Sequence, residues 1–241
     1  MTHLRSDQLL ASRCWDRNGS VVFRKTNEEF GGLSNMAGGF PLCVNDVFIQ
    51  TAEALYQACR FPHRPEVQRL ILDQKSPMTA KMKGKPHRSD TRPDWDEVRI
   101  AVMRWCLRVK LTQHRQNFGQ LLIETGDRPI VEESRRDTFW GAKSDGERAL
   151  LGENVLGRLL MELREHVTQR TDAYTGDVDP PTIARFLLLG RPIGHVGPSV
   201  APCASMDHDA QTTQAPTQGS LLEQGTPCGI TPHSDGVHGP S

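Results

Sequence analysis

From Gly197 to Ser241 the chain contains no Phe, Tyr, Trp, Lys or Arg, and Pro, Gly, Ser, Thr and Gln dominate it. A segment of that composition cannot bury enough apolar surface to offset its ordering entropy, so it is expected to be a disordered tail. Every aromatic side chain that could build a core therefore lies in the first 196 residues. That length suits one good-sized core better than two. The same break skews the charge: Lys+Arg and Asp+Glu are level at 29 each, yet no base follows Arg191. The mild basic excess left before residue 192 allows a phosphate-bearing ligand without marking a polyanion-coating protein. No apolar run reaches membrane-helix length, the N-terminus lacks a signal-peptide pattern, and no membrane partner is expected. Six scattered cysteines form no CxxC pair and no zinc spacing. Free thiols in a reducing cytoplasm are the expectation.

The periodicity of residues 20–168 predicts a compact, mainly helical α+β domain with a small N-terminal β-hairpin. Residues 1–19 are set apart as an N-terminal extension, 169–196 as a short helical extension and 197–241 as the tail. SVVFRK reads as a short strand. GGFPLCVNDVFIQ reads as a hairpin turning at Asn45-Asp46. Thr51 opens a helix in TAEALYQACRF, PEVQRLILDQ gives a second, and Ser76-Pro77 begins a third. The clearest helix follows Asp94, with Val98, Val102, Trp105, Cys106 and Val109 in its apolar stripe. FGQLLIETG and VLGRLLMELRE are further helices, PIVEES a strand, RDTFWGAKSDGERALLGEN mostly loop, and PPTIARFLLLG a small extra helix.

Phosphate loops of the GxxxxGK[ST] type, GxGxxG, GxSxG and HExxH are all absent, and no His pair has ligand spacing. Neither metal nor cofactor is expected. What stands out instead is a set of polar residues among apolar ones. Glu53, Gln57 and Arg60 share one helix face, which taken alone reads as solvated. Asp137 sits beside Phe139 and Trp140 in RRDTFWG, where a Trp is a core plug or a ring held near a carboxylate. Asn154 reads as a helix N-cap and Asn35 as a turn residue. Lys81, one of three lysines in TAKMKGK, would ordinarily be exposed.

The order of these segments is more telling than any one of them. FGGLSNM, TAEALYQACRF, SPMTAKMKGK, RPDWDEVRIAVM, LLIETGD, IVEESRRDTFWG and GENVLGRLLMELRE follow one another as in the NADAR (YbiA-like) family, which the chain resembles from about Phe30 to Arg164. The match keeps Leu33-Ser34-Asn35, Glu53, Tyr56-Gln57-Ala58, Lys81, Asp94-Trp95, Arg99, Glu132, Ser134, Asp137, Trp140-Gly141 and Asn154. It departs at Met36, where the family has an aromatic, at Ala54 for His, at Leu111 for Phe, and at Met82-Lys83-Gly84-Lys85.

The resemblance implies an N-glycosidase that hydrolyses the C1′–N bond of a phosphorylated ribose attached to a nucleobase-like amine. It offers two substrate types, riboflavin-pathway intermediates and ADP-ribosylated guanine on nucleic acid, the latter with an ADP-ribosyltransferase toxin as partner. Cleaving such a bond builds positive charge on the ribose and requires a proton for the departing nitrogen. Glu53 and Asp137 are the candidate carboxylates. Lys81, if desolvated, is a candidate nucleophile that would open the ribose as a Schiff base; otherwise it neutralises a phosphate. Asn35, Tyr56, Gln57, Trp95, Trp140, Gly141 and Asn154 are the candidate substrate-binding residues. The rival reading is a non-catalytic ADP-ribose or NAD-metabolite binding module.

Overall fold

The structure, a computed structural model, describes residues 11–169 and 176–198. The tail expected at 197–241 lies almost wholly outside the described residues, as do the first ten. The chain begins with strand β1 (Arg13–Asp16) and strand β2 (Val21–Phe23). A 3-10 turn (Gly31–Leu33) follows, then the hairpin β3 (Leu42–Val44) and β4 (Val47–Ile49). Three short helices come next: α1 (Ala52–Ala58), α2 (Pro65–Leu72) and α3 (Pro77–Gly84). The long α4 (Trp95–Gln113) and α5 (Arg115–Glu124) lead to strand β5 (Ile130–Glu132). Strands β6 (Lys143–Asp145) and β7 (Ala149–Gly152), helix α6 (Val155–Thr168), β8 (Leu187–Leu188) and β9 (Arg191–Pro192) complete it. The result is a mixed α+β domain, with six α-helices among the described residues.

Local chemistry accounts for most of these elements. Asn45 and Asp46 both take positive φ, 52° and 63°, which a two-residue hairpin turn needs for its strands to follow the right-handed twist. The Thr51 hydroxyl accepts from the Ala54 N–H and caps α1. Proline opens α2 and α3 at the first turn, where the missing N–H costs nothing. Gly126, at φ 57°, ends α5 in the left-handed region.

The strands join distant parts of the chain. β2 runs parallel to β5, pairing Phe23 with Glu132. β1 pairs antiparallel with β7, which also pairs with β6. Thus Arg13–Asp16, in the expected N-terminal extension, are hydrogen-bonded into the domain. Trp15 buries its ring with Val131, Ala142 and Leu150, and its indole N–H donates to the Gly152 carbonyl. One large core otherwise unites the helices, with Phe23, Leu33, Leu55, Phe61, Leu107 and Phe118 fully buried.

Three expectations are corrected. The region read mostly as loop also holds β6 and β7, of three and four residues, too short to show alternation. The small helix expected in PPTIARFLLLG is absent: Leu189 and Gly190 turn with φ of 50° and 79°, and the segment forms the β8–β9 hairpin. Finally, Cys14, Cys59 and Cys106 are free thiols, but Cys43 is disulfide-bonded. Spacing along a chain does not report neighbours in space.

Candidate active site

A cavity of about 360 Å³ opens between α1, α3, β5 and the loop after β5. Asn35, Glu53, Tyr56, Gln57, Lys81, Asp137 and Trp140 all line it. Seven of the ten candidate site residues, scattered over a hundred positions, are thus brought together.

Glu53 lies at the centre. The helix face that reads as solvated is buried, with both Glu53 and Gln57 inside. A buried carboxylate needs donors, and two amides supply them. Asn35 Nδ2 donates to Oε2 at 3.1 Å and Gln57 Nε2 to Oε1 at 2.9 Å. Asn35 is locked in turn, because its carbonyl accepts from the Glu53 N–H at 3.0 Å. Gln57 is oriented by Arg60, whose Nη1 donates to Oε1 at 3.3 Å, leaving the amide nitrogen to face Glu53. The Asn35 Oδ1 is buried and has no partner among the described residues.

Lys81 reaches in from α3, with Nζ 3.9 Å from Glu53 Oε1. Its side chain is 47% exposed against 7% for Glu53. The desolvation expected of Lys81 is therefore not observed; the adjoining carboxylate is its distinguishing feature. The desolvated lysine is Lys110, which burial pushes down to about 7. Its Nζ donates to the carbonyls of Gly32 and Ser34 at 2.7 and 3.1 Å, over the rings of Phe40 and Phe118. It fixes the turn from which Asn35 projects.

Asp137 builds the opposite wall. Its Oδ1 accepts from the N–H groups of Phe139 and Trp140 at 3.0 and 2.9 Å, while Ser134 Oγ accepts from its own N–H at 3.0 Å. The loop therefore presents Trp140, half-buried, edge-on to Tyr56 with centroids 5.6 Å apart. Arg99 stacks 3.7 Å from the Phe139 centroid and holds the loop from behind.

Trp95, Gly141 and Asn154 lie elsewhere. Trp95 is buried against Tyr56, centroids 5.0 Å apart, under the Arg60 guanidinium. A Cβ at Gly141 would meet the Glu132 carbonyl at 2.4 Å, so glycine there permits the loop to pack on β5. Asn154 holds the expected N-cap position of α6, but at φ 50° and with no side-chain cap bond. Its Oδ1 accepts from the Glu132 N–H at 3.1 Å and its Nδ2 donates to the Ile130 carbonyl at 2.8 Å. It clamps β5 to α6.

The cavity also contains residues not singled out as site candidates. Arg24 and Arg135 bring positive charge, and Glu132 and Glu133 add carboxylates. Glu133 is paired with Arg17 at 2.8 Å, which holds its carboxyl below the usual range. Glu132 has no such partner. Burial, then the charges of Glu53 and Asp137, push its carboxyl up to about 7 against the opposing pull of Lys81. Its signal in the sequence was an acid ending an otherwise apolar strand, Ile130-Val131-Glu132, and a place among the matched family positions.

A model of the NADAR domain matches residues 22–168. The chain belongs to the NADAR family. It is similar to N-glycosidase YbiA of Escherichia coli, 35% identical over 150 residues, or 61% of this chain and 88% of that one. N-glycosidase Npun_R5314 of Nostoc punctiforme is 30% identical over 150 residues, 61% of this chain and 92% of the relative. Riboflavin biosynthesis protein VVA0006 of Vibrio vulnificus is 31% identical over 165 residues, 66% of this chain but 42% of the longer relative. The NMR structure of E. coli YbiA is a structural neighbour, with a TM-score of 0.54 at 33% identity over 62% of this chain and 85% of that one. Curated relatives are thus named as hydrolases of N-glycosyl compounds, and the NADAR resemblance and α+β fold read from the sequence both hold.

Proposed function

We propose that this protein is an N-glycosidase that cleaves the C1′–N bond between a phosphorylated ribose and a nucleobase-like amine, with Glu53, Lys81 and Asp137 as its reacting groups. The observation that carries the reading is the Lys81–Glu53 pair: an amine 3.9 Å from a buried carboxylate that two amides already hold. Such a carboxylate stabilises the positive charge that develops on the ribose and accepts the amine's proton. Lys81 is then activated by the neighbouring base rather than by burial. It attacks C1′ as the C1′–N bond breaks, and the resulting glycosylamine opens to an imine. Water hydrolyses the imine, releasing the ribose and restoring the amine. Asp137, through the oxygen not bonded to the loop, supports positive charge on the opposite side of the ribose.

The remaining wall suits such a substrate. Arg24 and Arg135 would face the phosphate, and Trp140 would stack on the departing ring. Among the substrate classes, a riboflavin-pathway ribosyl amine is favoured by likeness to the riboflavin biosynthesis protein of V. vulnificus. ADP-ribosylated guanine is the second class to assay.

The test is release of ribose phosphate from a ribosyl amine by the wild type and by Glu53→Gln. Loss of one charge-stabilising group costs about 100- to 1,000-fold in rate, so the variant should fall by that much while still binding substrate. Binding of ADP-ribose by a wild type that turns over no ribosyl amine of either class would replace this reading with a non-catalytic module.

A further inference from the structure

Four carboxylates line the cavity, Glu53, Glu132, Glu133 and Asp137, and their surroundings differ. Glu133 is paired with Arg17. Glu53 accepts from two amides and faces Lys81. Every one of those partners is a donor, an arrangement that fits an ionised carboxylate. Asp137 is committed through Oδ1 to two backbone N–H groups, again an acceptor's role. Glu132 projects from the end of β5, its backbone fixed by β2 on one side and by Asn154 on the other. Its carboxyl accepts from no donor among the described residues. Negative charges crowded into one half-closed cavity repel, and the proton goes to the member with least stabilisation of its charge.

We propose that Glu132 is the general acid of this site, held protonated near neutrality so that it can deliver its proton to the departing nitrogen. This rests on the N-glycosidase reading above. As the C1′–N bond breaks, its electron pair goes to nitrogen, which takes the Glu132 proton and leaves as a neutral amine. Glu132 becomes a carboxylate and recovers a proton from the water that hydrolyses the imine. Division of labour follows: Glu53 starts ionised, ready to meet the developing charge and take the Lys81 proton, and Glu132 starts neutral, ready to assist departure. Its elevation to about 7 agrees: burial raises it first, then the charges of Glu53 from α1 and Asp137 from the loop, while Lys81 from α3 pulls the other way. Arg24, beyond β2, and Arg135 also line the cavity.

The experiment compares two substrates that differ only in the need for a proton. A ribosyl amine 5-phosphate has a leaving group that needs one. 4-Nitrophenyl riboside 5-phosphate does not, because nitrophenolate departs unaided. Wild-type turnover of the amine should fall as pH rises through about 7, while turnover of the aryl riboside should not. General acid catalysis is worth about 100- to 10,000-fold, so Glu132→Gln should lose at least 100-fold on the amine and lack the limb near pH 7. On the aryl riboside it should stay within a few-fold of wild type. An equal loss on both substrates, or a limb near pH 7 that persists in Glu132→Gln, overturns the assignment. If the wild type cleaves the amine alone, the limb decides by itself. A wild type that cleaves neither refutes the N-glycosidase reading, and this proposal with it.

Discussion

Two polar side chains that meet at β5, Glu132 and Asn154, should respond to substitution in opposite ways. Asn154 joins α6 to β5 through two hydrogen bonds and contributes no atom to the cavity. Asn154→Ala leaves a buried N–H and a carbonyl unpaired, at about 1–3 kcal/mol for each such group, and places alanine at a φ of 50°. Urea unfolding should show a loss of at least 1–3 kcal/mol; an unchanged midpoint would mean that β5 finds other partners. Glu132→Gln should do the reverse at alkaline pH. A carboxyl raised from 4.5 to about 7 on folding binds its proton more tightly in the native state. Its stabilising contribution is full below pH 4.5 and is lost as pH rises through about 7. The variant should therefore melt above the wild type at pH 8 and with it near pH 4.5. Much of this chemistry was legible at the residue scale where spacing is local: Glu53, Gln57 and Arg60 fall on one face at helical intervals. Asn154 was not legible, because a residue before a helix reads as its cap while its actual partners lie 22 and 24 positions earlier.

At the scale of elements, the turn Gly31–Leu33 and helix α4 act together through Lys110. The turn has no side-chain cap of its own, and the ammonium supplies donors to two of its carbonyls. Lys110→Met keeps most of the stem's apolar volume but strands both carbonyls, so a loss of roughly 1–3 kcal/mol is expected. Turnover should also fall, since Asn35 would no longer be held against Glu53; full activity in the folded variant would show that the turn holds Asn35 unaided. No local pattern marks this lysine as buried; it stands only as the first residue of the family's Lys-Phe pair, beside the departure at Leu111. Its burial comes from Phe40 and Phe118, on either side of it in the chain. Strand β1 was missed for a related reason: its four residues pair with Ala149–Gly152, and no local pattern announces a partner so remote. Trp15→Ala should cost about 3–5 kcal/mol, as large aromatic truncations in cores do. A loss under 1 kcal/mol would make β1 the detachable extension that the sequence suggested. Helices fared better because amphipathic periodicity and caps are written within each segment.

The whole molecule is what makes the site. Asn35 comes from a turn, Glu53 from α1, Lys81 from α3, Glu132 from β5 and Trp140 from the following loop, and a single core fixes all of them. The order of motifs along the chain revealed the family, but only the packed domain distinguishes cavity residues from supports such as Trp95, Gly141 and Asn154. It also moves the activation of Lys81 from burial to its neighbour. The most direct test of the account is reductive trapping. Wild-type protein turning over a ribosyl amine 5-phosphate in the presence of a borohydride reductant should gain the mass of one reduced ribose phosphate. Peptide mapping should locate it on Lys81, and Glu53→Gln treated in the same way should gain little. Undiminished turnover with no adduct, or with Lys81 replaced by alanine, would contradict the account.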